Sequence, residues 1–314
     1  MSEVWNQFVA NAFRANGVPR INGSMNSYEI SSSQVMKMYA HIQEHSEFLK
    51  RIRYESSPTL EGFLKEISIT KMLSKRTDFQ SIETRSPRTD IHNINDLSYK
   101  LEKVERDFAI KYAFLDDHMQ YNQFVSLYQK MVGQQIAKEI VNIGWYGETA
   151  AAVTKNAQDQ NKNDATDILP GWIADLKSTH PANVIHRLGV GDKKKEDAVF
   201  VGAAGDYRSL DEMISAAVDQ IPTLYQDGLI AFIGHNLFTF HKAGMHRNNA
   251  NDASKKIFLS QVLGNIGGLP VETPPGFLDS GIVIVNPYNL AFIYAKKGAR
   301  RALIDNPNKD QYED

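Results

Sequence analysis

The chain has 314 residues, of which 42% are hydrophobic and 23% charged, and its formal net charge is −2 at pH 7. This composition is ordinary for a globular protein, and the balanced charge argues against a dedicated nucleic-acid-binding protein, which normally has a basic surface. The chain contains no cysteine, which excludes disulfide bonds and thiolate metal sites. No apolar run approaches the roughly 20 residues of a membrane-spanning helix, and the N-terminus lacks the layout of a secretion signal, so we expect a soluble intracellular protein.

The N-terminal region predicts two helices joined by a flexible segment. Val4, Phe8 and Phe13 recur at helical spacing and indicate a short amphipathic helix. Residues 23–27 are small and polar, which favours a flexible joint. A second helix is predicted over residues 31–53, with serines at its start that suit helix capping.

The next region changes in character and predicts an extended hairpin. Apolar residues alternate over 67–69, but long polar stretches such as 81–90 separate such runs. A segment of this kind buries little within its own chain, so residues 54–101 are interpreted as a protruding hairpin. Residues 102–114 alternate approximately as a single strand should.

A long amphipathic helix forms the centre of the predicted fold. Apolar residues recur every three or four positions from Tyr121 to Ile143, which predicts a helix of about six turns that ends at Gly144. Residues 171–176 predict a short anchoring helix, and residues 184–197 predict an exposed hairpin tip.

The C-terminal half predicts one capped helix and two buried strands. Residues 209–220 suit a helix in which Ser209 is the N-cap and Glu212 completes a capping box. The all-apolar runs 229–234 and 281–285 are typical of strands that are covered on both faces.

Two further strands are predicted near the end of the chain. Residues 290–295 and 299–304 flank a turn at residues 296–298, which favours a hairpin. Strands and helices thus mix without a strict βαβ order, and the predicted class is α+β.

A glycine- and lysine-containing segment is the first candidate for chemistry. Gly189 and Gly191 precede Lys193, Lys194 and Lys195, and phosphate-binding loops also have glycines before a lysine. The spacing of such a loop and its following serine or threonine are missing, so a solvated turn is favoured over a nucleotide site.

Three histidines are the second candidate. His235, His241 and His246 are separated by six and five residues. These spacings do not place two imidazoles on one helical face, as the i, i+4 spacing does. Surface or interface histidines are therefore favoured, and a metal-dependent enzyme that uses these three residues remains an alternative.

The acidic residues have structural interpretations. Asp116, Asp117 and His118 precede the long helix, where carboxylates interact favourably with the helix dipole, and Asp206 lies just before a helix cap. No nucleophile elbow, zinc-protease motif or dinucleotide-binding motif occurs in the sequence. We therefore predict no enzymatic activity, no catalytic residue, no cofactor and no metal site.

Several segments carry a resemblance when they are taken together and in order. They are residues 47–52, Gly171 with Trp172, residues 205–211, residues 265–271 and residues 300–307. In order and approximate spacing they resemble the major capsid proteins of temperate contractile-tailed phages of the Peduovirus type, which share the Hong Kong 97-type shell fold. The resemblance covers nearly the whole chain.

The resemblance implies a domain organisation. Residues 1–53 would form an N-terminal arm, and residues 54–101 an extended loop that reaches across a neighbouring subunit. Residues 102–205 would form the peripheral domain with its long spine helix, residues 206–285 the axial domain, and residues 286–314 the return to the peripheral domain.

Two further expectations concern the ends of the chain. About the first 27 residues would be trimmed, and the expected processing region is Asn26, Ser27, Tyr28 and Glu29. Family members continue past the residues that match Asn306 and Pro307 into a further strand of the peripheral-domain sheet. Because this chain stops at Asp314, we expect either that this final strand is missing or that the sequence is truncated.

The resemblance also implies partners and a location. The subunit would assemble with itself into hexamers and pentamers, act with a scaffold, a prohead protease and a portal, and enclose double-stranded DNA without sequence-specific binding. It would be assembled in the host cytoplasm, would reside in the virion capsid and would have no membrane partner. An encapsulin-like compartment built on the same fold is the nearest alternative.

Overall fold

A computed structural model gives the fold of a large part of the chain. The described residues are 25–69, 92–118, 124–154, 165–184, 188–190, 199–201, 206–248 and 264–314, together with Ala10 and Arg14. Three features predicted from sequence lie outside them: the apolar positions of the first helix, the polar stretch 81–90 and the lysine run 193–195.

Helices and strands alternate irregularly along the described residues. The helices are α1 (Ser32–Glu44), α2 (Tyr112–His118), α3 (Phe124–Tyr146), α4 (Trp172–Thr179), α5 (Leu210–Asp219) and α6 (His235–Asn248). The strands are β1 (Met25–Glu29), β2 (Arg53–Ser57), β3 (Glu61–Ile69), β4 (His92–Lys100), β5 (Ala109–Lys111), β6 (Leu188–Val190), β7 (Val199–Val201), β8 (Ile230–Ile233), β9 (Asn265–Ile266), β10 (Leu269–Glu272), β11 (Ile282–Val285), β12 (Ala291–Ala295), β13 (Arg300–Asn306) and β14 (Gln311–Glu313). The mixture confirms the predicted α+β class.

The sheet around β8 joins two hydrophobic cores. Its strand order is β11-β8-β10-β9, so β8 pairs with β11 on one side and with β10 on the other. Successive side chains of a strand point to opposite faces of the sheet. Phe232 therefore enters one core, while Ala231 and Ile233 enter the other, and all three are 0% exposed. The predicted buried strand at 229–234 is confirmed.

The core on the Phe232 side, here called the aromatic core, is held by contacts between aromatic rings. Phe232 lies 5.5 Å from Phe48 and 5.9 Å from Trp145, and Trp145 lies 4.8 Å from Phe277, measured between ring centroids. These three pairs are near edge-to-face, an arrangement that the ring quadrupoles favour. The aromatic core thus joins the segment after α1 and the end of α3 to the central sheet.

The opposite core, here called the aliphatic core, belongs to the segment from β7 to β11. It contains Leu210, Met213 and Ile214 of α5, which pack against β8, β9 and β10. Helix α5 begins as predicted: the hydroxyl of Ser209 accepts a hydrogen bond from the Glu212 amide at 3.2 Å. The Glu212 carboxylate in turn accepts from the amide of Arg208 at 2.7 Å.

A second sheet connects the two ends of the described chain. Its order is β1-β13-β14-β5, and every pair in it is antiparallel. A strand was expected to be missing after Asn306 and Pro307. In the structure, Gln311–Glu313 forms β14 there, between β13 and β5. Its Tyr312 is buried with Leu303 in a third core, which gives this short strand a packing reason to form.

The long helix continues beyond its predicted end. Gly144 was predicted to stop it, but α3 extends to Tyr146. Gly144 serves close packing instead: a Cβ there would lie 2.2 Å from Cζ3 of Trp172 in α4. The absence of a side chain at this glycine therefore lets the ring of Trp172 pack against α3. Helix α4, which carries Trp172, is the short helix that was predicted.

The prediction of one helix over residues 31–53 is wrong in its length. Helix α1 ends at Glu44, Leu49–Arg51 forms a short 3-10 helix, and β2 starts at Arg53. Gln43 stabilises this turn, because its side-chain amide donates a hydrogen bond to the carbonyl of Leu49 at 3.0 Å. The change in direction brings Leu49 into the aromatic core.

The prediction of one strand over residues 102–114 is also wrong. Only Ala109–Lys111 is a strand, and α2 begins directly at Tyr112. Asp116 and Asp117 therefore lie in the last turn of a separate short helix. The predicted favourable interaction with the start of the long helix is therefore wrong for these two residues. They lie at the C-terminal end of α2, whereas carboxylates are stabilised at the N-terminal end of a helix.

The predicted hairpin of residues 290–304 is wrong because its two strands join different partners. β12 pairs in parallel with β2, whereas β13 pairs with β1 and β14. Gly298, with φ of +87°, turns the chain from one sheet to the other. On β12, Phe292 and Tyr294 pack against Tyr39 of α1, with ring centroids 5.6 and 4.2 Å from that ring.

Two smaller predictions also differ from the structure. Ile282–Val285 was predicted to be covered on both faces, but β11 is an edge strand and its residues are half-buried. Residues 184–197 were predicted to form a hairpin tip, but β6 pairs with β7 in parallel, which a simple hairpin does not allow.

An ion pair links the segment before β2 to the central sheet. Arg51 contacts Glu272 of β10 through both guanidinium Nη atoms, and Nη1 lies 2.6 Å from Oε1. The same guanidinium lies 6.0 Å from the ring centroid of Phe232. The two-pronged contact raises the pKa of Arg51 and orients this segment against β8 and β10.

The central position of Phe232 gives a test of this description. Replacing Phe232 by Ala leaves a cavity between α3 and β8, so the free energy of unfolding should fall by about 3–5 kcal/mol. Urea unfolding of the full chain, followed by tryptophan fluorescence, measures this loss. Phe240, which is exposed on α6, is the matched control, and Phe240→Ala should change the value by less than about 0.5 kcal/mol. Equal losses in the two variants would contradict the assignment of the aromatic core.

Candidate assembly surface

The long hairpin, β3 with β4, is the first feature at which a single chain leaves large apolar side chains exposed. β3 and β4 pair antiparallel over their whole length, from Glu61 opposite Lys100 to Ile69 opposite His92. Each strand has its main contacts with the other strand, so this hairpin contributes little to the cores described above. The predicted hairpin is confirmed, but it starts at Glu61, because β2 before it is paired with β12.

The base of the hairpin is fixed by one tyrosine. The hydroxyl of Tyr99 lies 2.6 Å from the hydroxyl of Ser57 and 3.0 Å from that of Thr59. These two hydrogen bonds lower the pKa of Tyr99. Gly62 leaves room for the ring, because a Cβ there would lie 2.7 Å from the Tyr99 hydroxyl. The hairpin therefore leaves the body of the protein in a defined direction.

Two large apolar side chains are exposed at this base. Leu60 is 64% exposed and Phe63 is 65% exposed. Burying such side chains contributes about 1.5–3 kcal/mol each, so their exposure is a feature to explain. Sequence reasoning missed them because it treated the whole segment as polar; two large apolar residues three positions apart, Leu60 and Phe63, were the available signal.

The first half of α3 carries a second exposed apolar patch. Leu127 and Met131 lie on one helical face and are 56% and 58% exposed. Ala137, Ile140 and Val141 in the second half are buried in the aromatic core. The apolar stripe that predicted the helix is half-buried at Tyr128 and Val132 and buried at Ile140, and Leu127 and Met131 lie beside it.

The edge of the central sheet is a third incomplete feature. β11 pairs with β8 on one side, and within the described residues no strand pairs with its other side. Its half-buried residues, Ile282–Val285, are all β-branched and apolar. Such an edge presents unpaired backbone groups beside apolar side chains and is suited to contact with another chain.

The expected processing region lies in a folded strand. Asn26, Ser27, Tyr28 and Glu29 belong to β1, which pairs with β13. Tyr28 is buried, and burial raises its pKa. The prediction that these four residues form a flexible stretch is therefore wrong in this structure.

An ion pair supports the strands beside β1. The guanidinium of Arg301 contacts the carboxylate of Asp314 through two nitrogens, and Nε lies 2.7 Å from Oδ1. Arg301 is also the direct cross-strand neighbour of Tyr28. The contact raises the pKa of Arg301 against the opposing effect of its burial, so the charged pair is kept within the sheet.

The three candidate histidines all lie in α6, and the two whose side chains the structure describes, His235 and His241, do not meet. His235 is exposed in the first turn, and His241 is half-buried on the face towards α5. Six residues of an α-helix turn through about 600°, so these two side chains point to different sides. Within the described ranges, no group of three or more His, Asp or Glu side chains is arranged to hold a metal ion.

The remaining candidates do not form a common site. Asp206 is exposed before α5, and Gly189 lies in β6, whereas Gly191 and the following lysines fall outside the described residues. A search of the described helices also finds none that is long and apolar enough to span a membrane.

The comparisons with known proteins agree on one family. A sequence model described as "Phage major capsid protein, P2 family" matches residues 4–314. The "Capsid proteins" of Escherichia phage P2 are 24% identical to this chain over 317 residues, covering 98% of this chain and 87% of that protein. The "Major capsid protein" of Serratia phage KSP20 is 19% identical over 316 residues, covering 97% of this chain and 87% of its own length.

A solved structure shows the same fold. A chain from "Satellite phage P4 procapsid including size determination (Sid) protein" superposes with a TM-score of 0.73 at 23% sequence identity. The superposition covers all of this chain (100%) and 91% of that chain. The agreement therefore extends over the hairpin, the long helix and both sheets.

His241 gives a testable pH dependence. Its Nε2 is buried without a hydrogen-bond partner and lies 3.9 Å from Oδ2 of Asp211. Burial lowers the pKa of His241, and Asp211 opposes this effect. The unfolded chain therefore binds a proton at higher pH than the folded chain, and stability is lost as the pH falls below the unfolded value of about 6.5.

We expect the free energy of unfolding to fall more between about pH 7.5 and 5.5 in the wild type than in His241→Gln. Urea unfolding at the two pH values measures the difference. His235→Gln, which changes an exposed histidine of the same helix, should keep the wild-type dependence. An unchanged dependence in His241→Gln would contradict this account.

Proposed function

The chain belongs to the P2 family of phage major capsid proteins, and we propose that it works by assembling with its own copies into the icosahedral head that encloses phage double-stranded DNA. The observation that carries this proposal is the family match, which extends over residues 4–314. The resemblance inferred from the sequence is confirmed, and so is the Hong Kong 97-type fold.

The surfaces of the single subunit support self-assembly. The hairpin base, the first half of α3 and the edge strand β11 all expose apolar groups that a second copy can cover. Closed symmetry repeats each contact many times, and a standard interface buries about 1,600 Å² in total. Weak individual contacts are therefore sufficient to hold a shell.

The proposed domain boundaries follow the resemblance and are supported by the packing. We propose an N-terminal arm at 1–53, an extended loop at 54–101, a peripheral domain at 102–205 and 286–314, and an axial domain at 206–285. The central sheet falls entirely within 206–285, which supports an axial domain with its own core. Within the proposed loop, the paired hairpin is the part that would reach a neighbouring subunit.

The remaining partners belong to the proposal as well. They are hexamers and pentamers of the chain itself, a scaffold, a prohead protease and a portal, with assembly in the host cytoplasm. The net charge of −2 suits a container for DNA, because each phosphate neutralised by the wall would add salt-dependent affinity for the duplex. This role requires no sequence-specific contact and no catalysis.

Trimming of the N-terminal arm is proposed at Asn26, Ser27, Tyr28 and Glu29. A protease needs an extended segment free of its neighbours, whereas these residues are hydrogen-bonded to β13 in the folded subunit. Processing would therefore take place before β1 pairs with β13, or through local opening of this edge strand.

The two alternative functions, an encapsulin-like shell and a metal-dependent enzyme, have no matching family or relative in their support. An encapsulin-like shell and a metal-dependent enzyme were both open from the sequence, but the matching family and the named relatives are phage capsid proteins. The three histidines of the enzyme alternative, His235, His241 and His246, all lie in α6, and the described side chains of His235 and His241 point to different sides of that helix.

A double substitution at the hairpin base tests assembly. Leu60→Asp with Phe63→Asp removes two exposed apolar side chains and adds charges, so the fold should persist while assembly fails. Electron microscopy of the chain expressed with its scaffold should show shells, rings or hexamers for the wild type. Circular dichroism should give the same melting temperature for both proteins within a few degrees.

Lys103→Asp is the matched control, because it adds the same carboxylate at an exposed position after the hairpin. It should assemble as the wild type does. Normal assembly of the double variant would contradict the role of the hairpin base, and a wild-type chain that stays monomeric under all these conditions would contradict the proposed function.

The trimming proposal is tested by intact-mass spectrometry. Subunits from mature particles should begin between Asn26 and Glu29, whereas subunits expressed without the phage protease should keep the whole N-terminal arm. A full-length N-terminus in mature particles, or a new N-terminus far from these residues, would contradict the proposal.

A further inference from the structure

A pair of histidines at the C-terminal end of α1 takes no part in the surfaces described above; His41 lies in the helix and His45 is its C-cap. His41 and His45 are four residues apart, a spacing that places two side chains on one face of a helix. Their Nε2 atoms lie 3.2 Å apart, and the ring planes make an angle of 71° with centroids 4.5 Å apart. The two Nε2 atoms therefore face each other at the helix surface.

This separation suits a bound metal ion. Zinc binds imidazole nitrogen at about 2.0–2.1 Å, so two ligands of a tetrahedral ion lie about 3.3 Å apart. We propose that His41 and His45 form a binding site for a borderline divalent transition-metal ion, of the class of Zn²⁺, Ni²⁺ and Cu²⁺, with the two Nε2 atoms as ligands. The i, i+4 histidine spacing is the one that metal sites on helices use.

One ligand is positioned by packing against α3. Gly133 leaves the space for His45, because a Cβ at that position would lie 2.9 Å from Cδ2 of the ring. His45 is half-buried there, whereas His41 is exposed. The inner ligand is thus partly ordered before an ion arrives, and His41 closes the site from the solvent side.

An acidic side chain lies beside the outer histidine. Oε2 of Glu44 lies 3.7 Å from Nδ1 of His41. The carboxylate lies on the Nδ1 side of the ring and so leaves Nε2 open towards the metal position.

The site is open, which determines its selectivity. Two protein ligands leave the other coordination positions to water or to a donor from another molecule. Imidazole suits Zn²⁺, Ni²⁺ and Cu²⁺, and affinity rises from Ni²⁺ to Cu²⁺ and falls again to Zn²⁺. Mg²⁺ requires oxygen ligands, so it should not bind between two imidazoles.

Isothermal titration calorimetry of the untagged full chain tests the proposal, since a histidine tag would bind the same ions. We expect one Cu²⁺ or Ni²⁺ per chain at this site and no heat from Mg²⁺. His41→Ala, at an exposed position that leaves the fold intact, should remove this binding event. Glu44→Gln should weaken it by roughly tenfold, as expected for a residue that orients a ligand.

His235→Ala is the matched control and should bind as the wild type does. A second readout is the melting temperature, which the ion should raise in the wild type but not in His41→Ala. Absence of Cu²⁺, Ni²⁺ and Zn²⁺ binding in the wild type, or binding that persists unchanged in His41→Ala, would overturn the proposal. The pair would then be a hydrogen bond between two imidazoles only.

Discussion

One buried strand connects the parts of this subunit, because β8 has a core on each of its faces. Phe232 packs with the rings of Phe48 and Trp145, while Ala231 and Ile233 pack against α5 and α6. The strand is paired on both edges as well, and its residues Ala231, Phe232 and Ile233 are fully buried. Arg51 adds a polar link from the N-terminal segment to Glu272 on the neighbouring strand β10. β8 therefore links the segment after α1 and the end of α3, on one face, to α5 and α6 on the other.

Because both faces of β8 are covered within one chain, other parts of the chain can keep apolar side chains exposed. Among the described side chains, the two cores around β8 include none from the hairpin or from the first half of α3. Leu60, Phe63, Leu127 and Met131 can then stay exposed, and their burial becomes available to a neighbouring copy. This combination suits a shell subunit of the P2 family, which gains further contacts on assembly.

The sequence predicted those elements whose pattern is local. Residues 209–220 contain both a periodic apolar face and a capping box, and the helix and its cap are where they were expected. Residues 229–234 form a short apolar run that only burial on two faces can satisfy. His41 and His45 also have a local signal, the i, i+4 spacing of a shared ligand site, which the three histidines of α6 lack.

Patterns along the chain thus determined which segments are helical, which are extended and which are strongly apolar, because backbone propensity and side-chain period act over a few residues. The tertiary structure alone decided the partners: β12 joins β2 instead of β13, Gly144 receives Trp172 instead of ending its helix, and β11 lies at an edge. These outcomes depend on contacts between residues more than 20 positions apart, where packing of whole surfaces selects among partners that local propensity cannot distinguish.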